Sequence, residues 1–172
     1  MQRGSDEQLK QLTQQLAALM TENNHSLTTA ESCTGGWLAK CCTDLPGSSA
    51  WFERGFVTYS NEAKHTDLHV PNNTLTTFGA VSENTAIAMA EGALINSRAN
   101  LSVAITGIAG PDGGTLSKPV GTVCFAFTTK NKQITSLTQH FEGNREMVRR
   151  QALVTALQGI IKNARDAVNS MG

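Results

Sequence analysis

Ser48, Tyr59 and Lys64 fall within one stretch of the sequence. A serine nucleophile beside a lysine of lowered pKa can hydrolyse an amide without histidine or metal. Tyr59, the only tyrosine of the chain, could shuttle a proton or orient the lysine. Spacing alone does not bring the three side chains together. The plainer reading of Lys64 is an exposed lysine on a short helix.

Two small-residue runs and one basic run complete the candidate set. Glu31-Ser32-Cys33-Thr34-Gly35-Gly36 joins an expected strand to an expected helix. Small residues there let a ligand approach the backbone, and unpaired N–H groups at a helix start favour an anion. The alternative is that Ser32 or Thr34 caps a helix and the glycines serve packing. The run lacks the GxxxxGK[ST] spacing of a P-loop. Thr106-Gly107-Ile108-Ala109-Gly110-Pro111-Asp112-Gly113-Gly114 leaves a buried strand, and a long glycine-rich loop in that place suits binding. Arg145, Arg149 and Arg150 crowd the start of the last helix, against its dipole. A bound phosphate relieves that conflict, and so does pairing with Glu142 or Glu146.

Other chemistries are disfavoured. His65 and His69 have i,i+4 ligand spacing, but no acidic or thiol cluster accompanies them. No serine sits in a GxSxG elbow. There is no CxxC pair among Cys33, Cys41, Cys42 and Cys124. A disulfide scaffold is not expected in a chain this long, and the last three sit in apolar surroundings that suit a core.

The elements that must position these residues alternate between helix and strand. Ser5-Asp6-Glu7-Gln8 reads as a capping box, followed by Leu9, Leu12, Leu16 and Leu19 at helical spacing. Strands are expected at 25–30, 52–59, 101–106, 121–129 and 133–141, the last two joined by a hairpin across Lys130-Asn131-Lys132. Helices are expected from Gly35 to Thr43, from Ser60 through His65, from Ser82 to Ser97 with Ile87, Ala90 and Leu94 inward, and from Asn144 onward. The segment around Pro71-Asn72-Asn73 reads as a loop. This order predicts an α/β fold: one domain over 1–172, a three-layer α/β/α sandwich with a mixed, mainly parallel sheet. Ligands in such folds sit where strands end and helices begin.

Composition narrows the function classes. The 172 residues are 40% hydrophobic and 16% charged, which suits a packed core. Lys plus Arg balances Asp plus Glu at 14 each, so no overall basic footprint for nucleic acid or anionic lipid exists. No apolar run approaches a membrane span, and the polar start MQRGSDEQLK has no signal-peptide core. A cytoplasmic protein without nucleic-acid or membrane partners is expected.

The segments TTAESCTGG (28–36), GSSAWFERGFVTYSNEAK (47–64), GAVSE (79–83), ITGIAGPDGG (105–114), KPVGTV (118–123) and GNREMVRRQA (143–152) together resemble the nicotinamide-nucleotide amidohydrolases. These are relatives of the C-terminal domain of the competence/damage-inducible protein CinA. The resemblance spans about residues 10 to 165. It implies conversion of nicotinamide mononucleotide and water to nicotinate mononucleotide and ammonia, in pyridine-nucleotide salvage toward NAD. It implies an α/β/α sandwich, a homodimer, and hydrolysis with no cofactor and no metal. Carried over by motif, Ser48, Tyr59 and Lys64 are catalytic, with Ser32 the rival nucleophile. Glu31, Cys33, Thr34, Gly35, Thr106, Gly107, Ala109 and Gly110 lie against the substrate, and Arg145 takes the 5′-phosphate. A paralogue that binds such a nucleotide without hydrolysing it is the alternative. A purely structural domain leaves both glycine loops and the arginines unexplained.

Overall fold

The computed structural model describes residues 3–131 and 133–169. The chain runs α1 (Asp6–Glu22), β1 (Leu27–Glu31), α2 (Trp37–Thr43), a 3-10 turn (Ser48–Ala50), β2 (Phe52–Val57), α3 (Asn61–Leu68), α4 (Asn72–Phe78), α5 (Glu83–Ile95), β3 (Leu101–Gly107), β4 (Thr122–Thr129), β5 (Ile134–His140) and α6 (Arg145–Asn169). Three serines start helices as the sequence predicts. The Oγ of Ser5, Ser60 and Ser82 accepts from the N–H of Gln8, Ala63 and Thr85. The capping box closes one residue early, because the Gln8 side chain accepts from Gly4 N rather than from Ser5 N (2.7 Å).

The five strands form one sheet in the order β2-β1-β3-β4-β5. β1 is parallel to β2 and β3, whereas β3–β4 and β4–β5 are antiparallel. The sheet is therefore mixed and evenly divided, not mainly parallel. The β3–β4 connection carries no helix, so the chain can return only in the opposite direction. The β4–β5 hairpin forms as expected; Lys132 of its turn lies outside the described residues.

Helices cover both faces. α1, α2 and α6 pack large side chains against Leu27, Val103, Ile105, Phe125 and Phe127. The other face meets α3, α4 and α5 through Ala30, Ala104, Cys124 and Ala126. Small residues let α5 sit close: a Cβ on Gly92 would lie 1.9 Å from the Leu68 carbonyl oxygen. The buried face of α5 is accordingly Ala86, Met89, Ala90 and Ala93, with Ile87 and Leu94 only half-buried. α4 occupies part of the segment read as a loop; Pro71 precedes its first turn and Leu75 anchors it in the core. All four cysteines are buried and free.

Candidate active site

β1 and β2 run in the same direction, with Leu27 beside Phe52 at one end and Glu31 beside Val57 at the other. The residues that follow these strands therefore share the C-terminal edge of the sheet. Ser32 follows β1, and Thr58 and Tyr59 follow β2. Strand alternation decides which side chains meet. Ala30 belongs to the α5 face, and Leu27 and Cys33 to the α6 face. Ser32, two residues after Ala30, faces the α3 side, where Lys64 arrives.

Lys64 is 1% exposed, although it stands in the second turn of a short helix. Its Nζ donates to Ser32 Oγ at 2.9 Å and to the Thr58 carbonyl at 2.8 Å. Burial lowers its pKa from the usual 10.5, since desolvation penalises the ammonium; the Cys33 thiol raises it only in part. A lysine so placed reaches its neutral form more easily. It then accepts the Ser32 hydroxyl proton while still donating to Thr58 O. Ser32 and Lys64 thus have the geometry that a nucleophile and its base require.

Tyr59 and Arg145 form a second cluster. Arg145 Nη2 donates to Tyr59 Oη and Nη1 to the Gly110 carbonyl, both at 2.8 Å. The Tyr59 hydroxyl is thus held by Arg145, not by Lys64 or Ser32 as a proton shuttle requires. The residue remains 60% exposed. Arg145 ties β2 to the 107–114 loop and keeps further N–H donors for an anion.

Ser48 is not brought to this site. It lies in the connection that enters β2, at the N-terminal edge of the sheet. The six residues of β2 separate it from Thr58 and Lys64, and at about 3.3 Å per residue this is on the order of 17 Å or more. The expectation that Ser48 meets Tyr59 and Lys64 is corrected on that ground.

Several of the expected substrate contacts have structural duties. Glu31 is fully buried, and its carboxylate accepts from Leu38 N (2.8 Å) and Ala39 N (3.1 Å), capping α2. Burial raises its pKa, and those two N–H bonds pull back toward the ionised form. The Cys33 thiol is buried in the α6-side core, and desolvation pushes its pKa up to about 12, which disfavours the reactive thiolate. Thr106 Oγ1 donates to Ala80 O at 2.7 Å. Backbone, rather than side chain, is what Gly35, Gly107, Ala109 and Gly110 offer at this edge. Gly35 and Gly36 turn with φ of +61° and +92°, and a Cβ on Gly107 would meet Thr122 O at 2.9 Å.

The Thr58 carbonyl on Lys64 and the partners of Arg149 have no counterpart in the sequence pattern. Arg149 was visible as part of the arginine run, but its partners are carbonyls more than 100 residues away. Among the described residues, no group of three or more His, Cys, Asp and Glu could hold a metal ion. His65 Nδ1 lies 2.9 Å from Val70 O, and His69 ends α3 in a left-handed conformation. A concavity of about 720 Å³ opens beyond the 34–37 turn, toward α1 and α2, away from Ser32 and Lys64.

Known proteins resemble this chain throughout. The family model described as CinA C-terminal domain matches residues 9–164. The nicotinamide-nucleotide amidohydrolase PncC of Escherichia coli K12 is 54% identical over 154 residues, covering 90% of this chain and 93% of that protein. The protein of the same name from Enterobacter agglomerans is 50% identical over 163 residues, covering 92% and 99%. Among solved structures, the competence/damage inducible protein CihA from Agrobacterium tumefaciens superposes with a TM-score of 0.88 at 45% identity, over 90% of this chain and 94% of that one.

Proposed function

The chain belongs to the CinA C-terminal domain family, and from that premise we propose that it hydrolyses nicotinamide mononucleotide to nicotinate mononucleotide and ammonia. The single observation that carries the chemistry is the buried Lys64 Nζ at 2.9 Å from Ser32 Oγ. Identity of 50% or more to two curated amidohydrolases supports the substrate.

Ser32 Oγ attacks the carboxamide carbon while its proton passes to neutral Lys64 Nζ. The carbonyl π electrons move to oxygen, and backbone N–H groups of the Ser32–Gly36 turn stabilise the charge. As the tetrahedral intermediate collapses, the Lys64 ammonium gives its proton to the departing amine, which leaves as ammonia. An ester between Ser32 and the nicotinate carbonyl remains. Water then attacks that ester, Lys64 takes the water proton, and the Ser32 oxygen recovers a proton from Lys64. No atom beyond substrate and water is consumed. Arg145 receives the 5′-phosphate with the N–H donors that Tyr59 and Gly110 leave unused.

The same reading takes the protein as a cytoplasmic homodimer working without cofactor, metal, nucleic acid or membrane. The balanced charge supports the absence of a nucleic-acid partner. The test is ammonia release from nicotinamide mononucleotide by purified protein in the presence of a chelator. Turnover that vanishes in chelator and returns with Zn²⁺ or Mn²⁺ overturns the metal-free mechanism. No release under any condition favours the non-hydrolysing binder.

A further inference from the structure

Arg149 is one turn beyond Arg145 on the same face of α6, yet it holds different partners. Its Nε donates to the Cys33 carbonyl and its Nη2 to the Thr34 carbonyl, each at 3.1 Å. Its guanidinium carbon lies 5.0 Å from the Trp37 ring centroid, which fixes the plane of the fork. Arg149 is therefore a two-point latch between α6 and the turn that carries Ser32.

The latch has a directional consequence. A trans peptide is planar, with its C=O and N–H pointing opposite ways. Drawing Cys33 O toward α6 turns the N–H of Thr34 away from α6. Three other N–H groups around this turn are spent: Ser32 N donates to Ile105 O, Gly35 N to Ser32 O, and Trp37 N to Thr34 O. Thr34 is fully buried, and among the described residues its N–H finds no acceptor. A buried backbone donor without a partner is rare in folded proteins. A guanidinium on the carbonyl of the same peptide also polarises that N–H into a stronger donor.

We infer that Arg149 is a positioning residue that orients the Cys33–Thr34 peptide so that Thr34 N–H stabilises the oxyanion formed when Ser32 attacks. The inference rests on the amidohydrolase reading for its natural substrate, but not for its geometry. Lysine at 149 keeps the charge and loses the two-pronged fork, so Arg149→Lys separates direction from charge.

Two measurements test it. In the first, kcat and KM for nicotinamide mononucleotide are compared in wild type, Arg149→Lys and Arg149→Gln, with product affinity and Tm followed in parallel. An oxyanion donor is worth roughly 10²-fold or more in kcat. Arg149→Lys should lose kcat on that order, with KM and product affinity within about threefold and Tm nearly unchanged. In the second, Ser32 is labelled with a small fluorophosphonate, read by intact mass. That reaction builds charge on an oxygen without needing a nucleotide, and the lysine variant should label more slowly by a similar factor. If wild type labels at Ser32 but releases no ammonia, the substrate reading fails while the latch is still judged by the labelling rates. Wild-type labelling or kcat in Arg149→Lys overturns the inference. So does parallel loss of Tm, product binding and turnover, which marks a merely structural tie. A wild type whose Ser32 does not label overturns it too.

Discussion

Ser32 and Ser48 are the same residue type in comparable settings: each lies in a run of small residues between secondary-structure elements. They differ in which end of the sheet they occupy. Ser32 follows β1 at its C-terminal edge and meets a lysine 1% exposed. Ser48 precedes β2 at the opposite edge, half-exposed. A serine becomes a nucleophile through what its strand direction brings to it. In parallel units the turns that leave the strands collect at one edge, so residues far apart in sequence meet there. Lys64 is 32 positions from Ser32 and 16 from Ser48, yet contacts only the more distant one.

The comparison breaks first at the nucleophile. Ser32→Ala should lower kcat on the order of 10³-fold or more, with nicotinate mononucleotide binding retained. Lys64→Arg, which keeps the charge but cannot deprotonate, should fall comparably. Steady-state ammonia release and product calorimetry check both. Retained turnover in either variant would falsify the Ser32–Lys64 pair. The pH dependence follows from burial. Only neutral Lys64 accepts the proton, so kcat/KM should rise with pH and level off above the lowered pKa. Stability carries the same signature. Between the folded pKa and 10.5 the unfolded chain holds a proton that the folded one has released, so Lys64 makes stability rise with pH there. Lys64→Met should flatten that rise in denaturant titrations at stepped pH.

Arg145 gives the next largest effect. If it takes the 5′-phosphate by a charge-assisted bond, Arg145→Ala should cost about 1.5–3 kcal/mol of nucleotide binding. Nicotinamide riboside should be a poor substrate for wild type and nearly indifferent to the substitution. Equal losses for nucleotide and riboside place Arg145 in a structural role, holding Tyr59 and Gly110.

Glu31 sharpens the contrast from within the same turn. It neighbours the nucleophile, but its carboxylate caps α2 through Leu38 N and Ala39 N. Glu31→Ala leaves two helix N–H groups without acceptors and should destabilise the fold by about 1–3 kcal/mol. The loss should appear in the denaturation midpoint, with turnover per folded molecule changed less than in Ser32→Ala. A variant as stable as wild type but inactive reassigns Glu31 to the chemistry.

Local signals carried most of the fold. Ser5, Ser60 and Ser82 announced their helices because a short hydroxyl side chain bonds the backbone three residues on. The strand signals at 101–106 and 121–129 marked β3 and β4, both almost fully buried. α4 was hidden because Pro71, Asn72 and Asn73 favour turns, while the burial of Leu75 that holds the helix is a tertiary fact. The direction of β4 was hidden too, since no residue type encodes which way a strand returns. The site divides along the same line. Ser32, Lys64, Tyr59 and Arg145 stood out as reactive or charged side chains in unusual runs. Their pairing depended on strand direction and alternation, which is why the sequence put Ser48 ahead of Ser32. The Thr58 carbonyl carries no sequence signal at all, because every residue has one.

The smallest expected effect is at Ser48 itself. Its backbone N–H donates to Leu45 O at 3.3 Å and its carbonyl accepts from Trp51 N at 3.0 Å. Alanine keeps both bonds and suits a 3-10 turn, so Ser48→Ala should change stability by less than about 0.5 kcal/mol. It should also leave kcat/KM within twofold, because nothing at the N-terminal edge touches Lys64. The preceding residue should matter more. Gly47 has φ +83° with open space around its Cβ position, so its constraint is backbone conformation rather than packing. Gly47→Ala should therefore cost about 1 kcal/mol, more than Ser48→Ala, with activity equally preserved. Chemical denaturation and ammonia release on the two variants rank them. If Ser48→Ala instead folds normally and is inactive, an edge of the sheet remote from Lys64 takes part in catalysis. One chain cannot arrange that across the length of β2, so the site would have to be assembled from two copies.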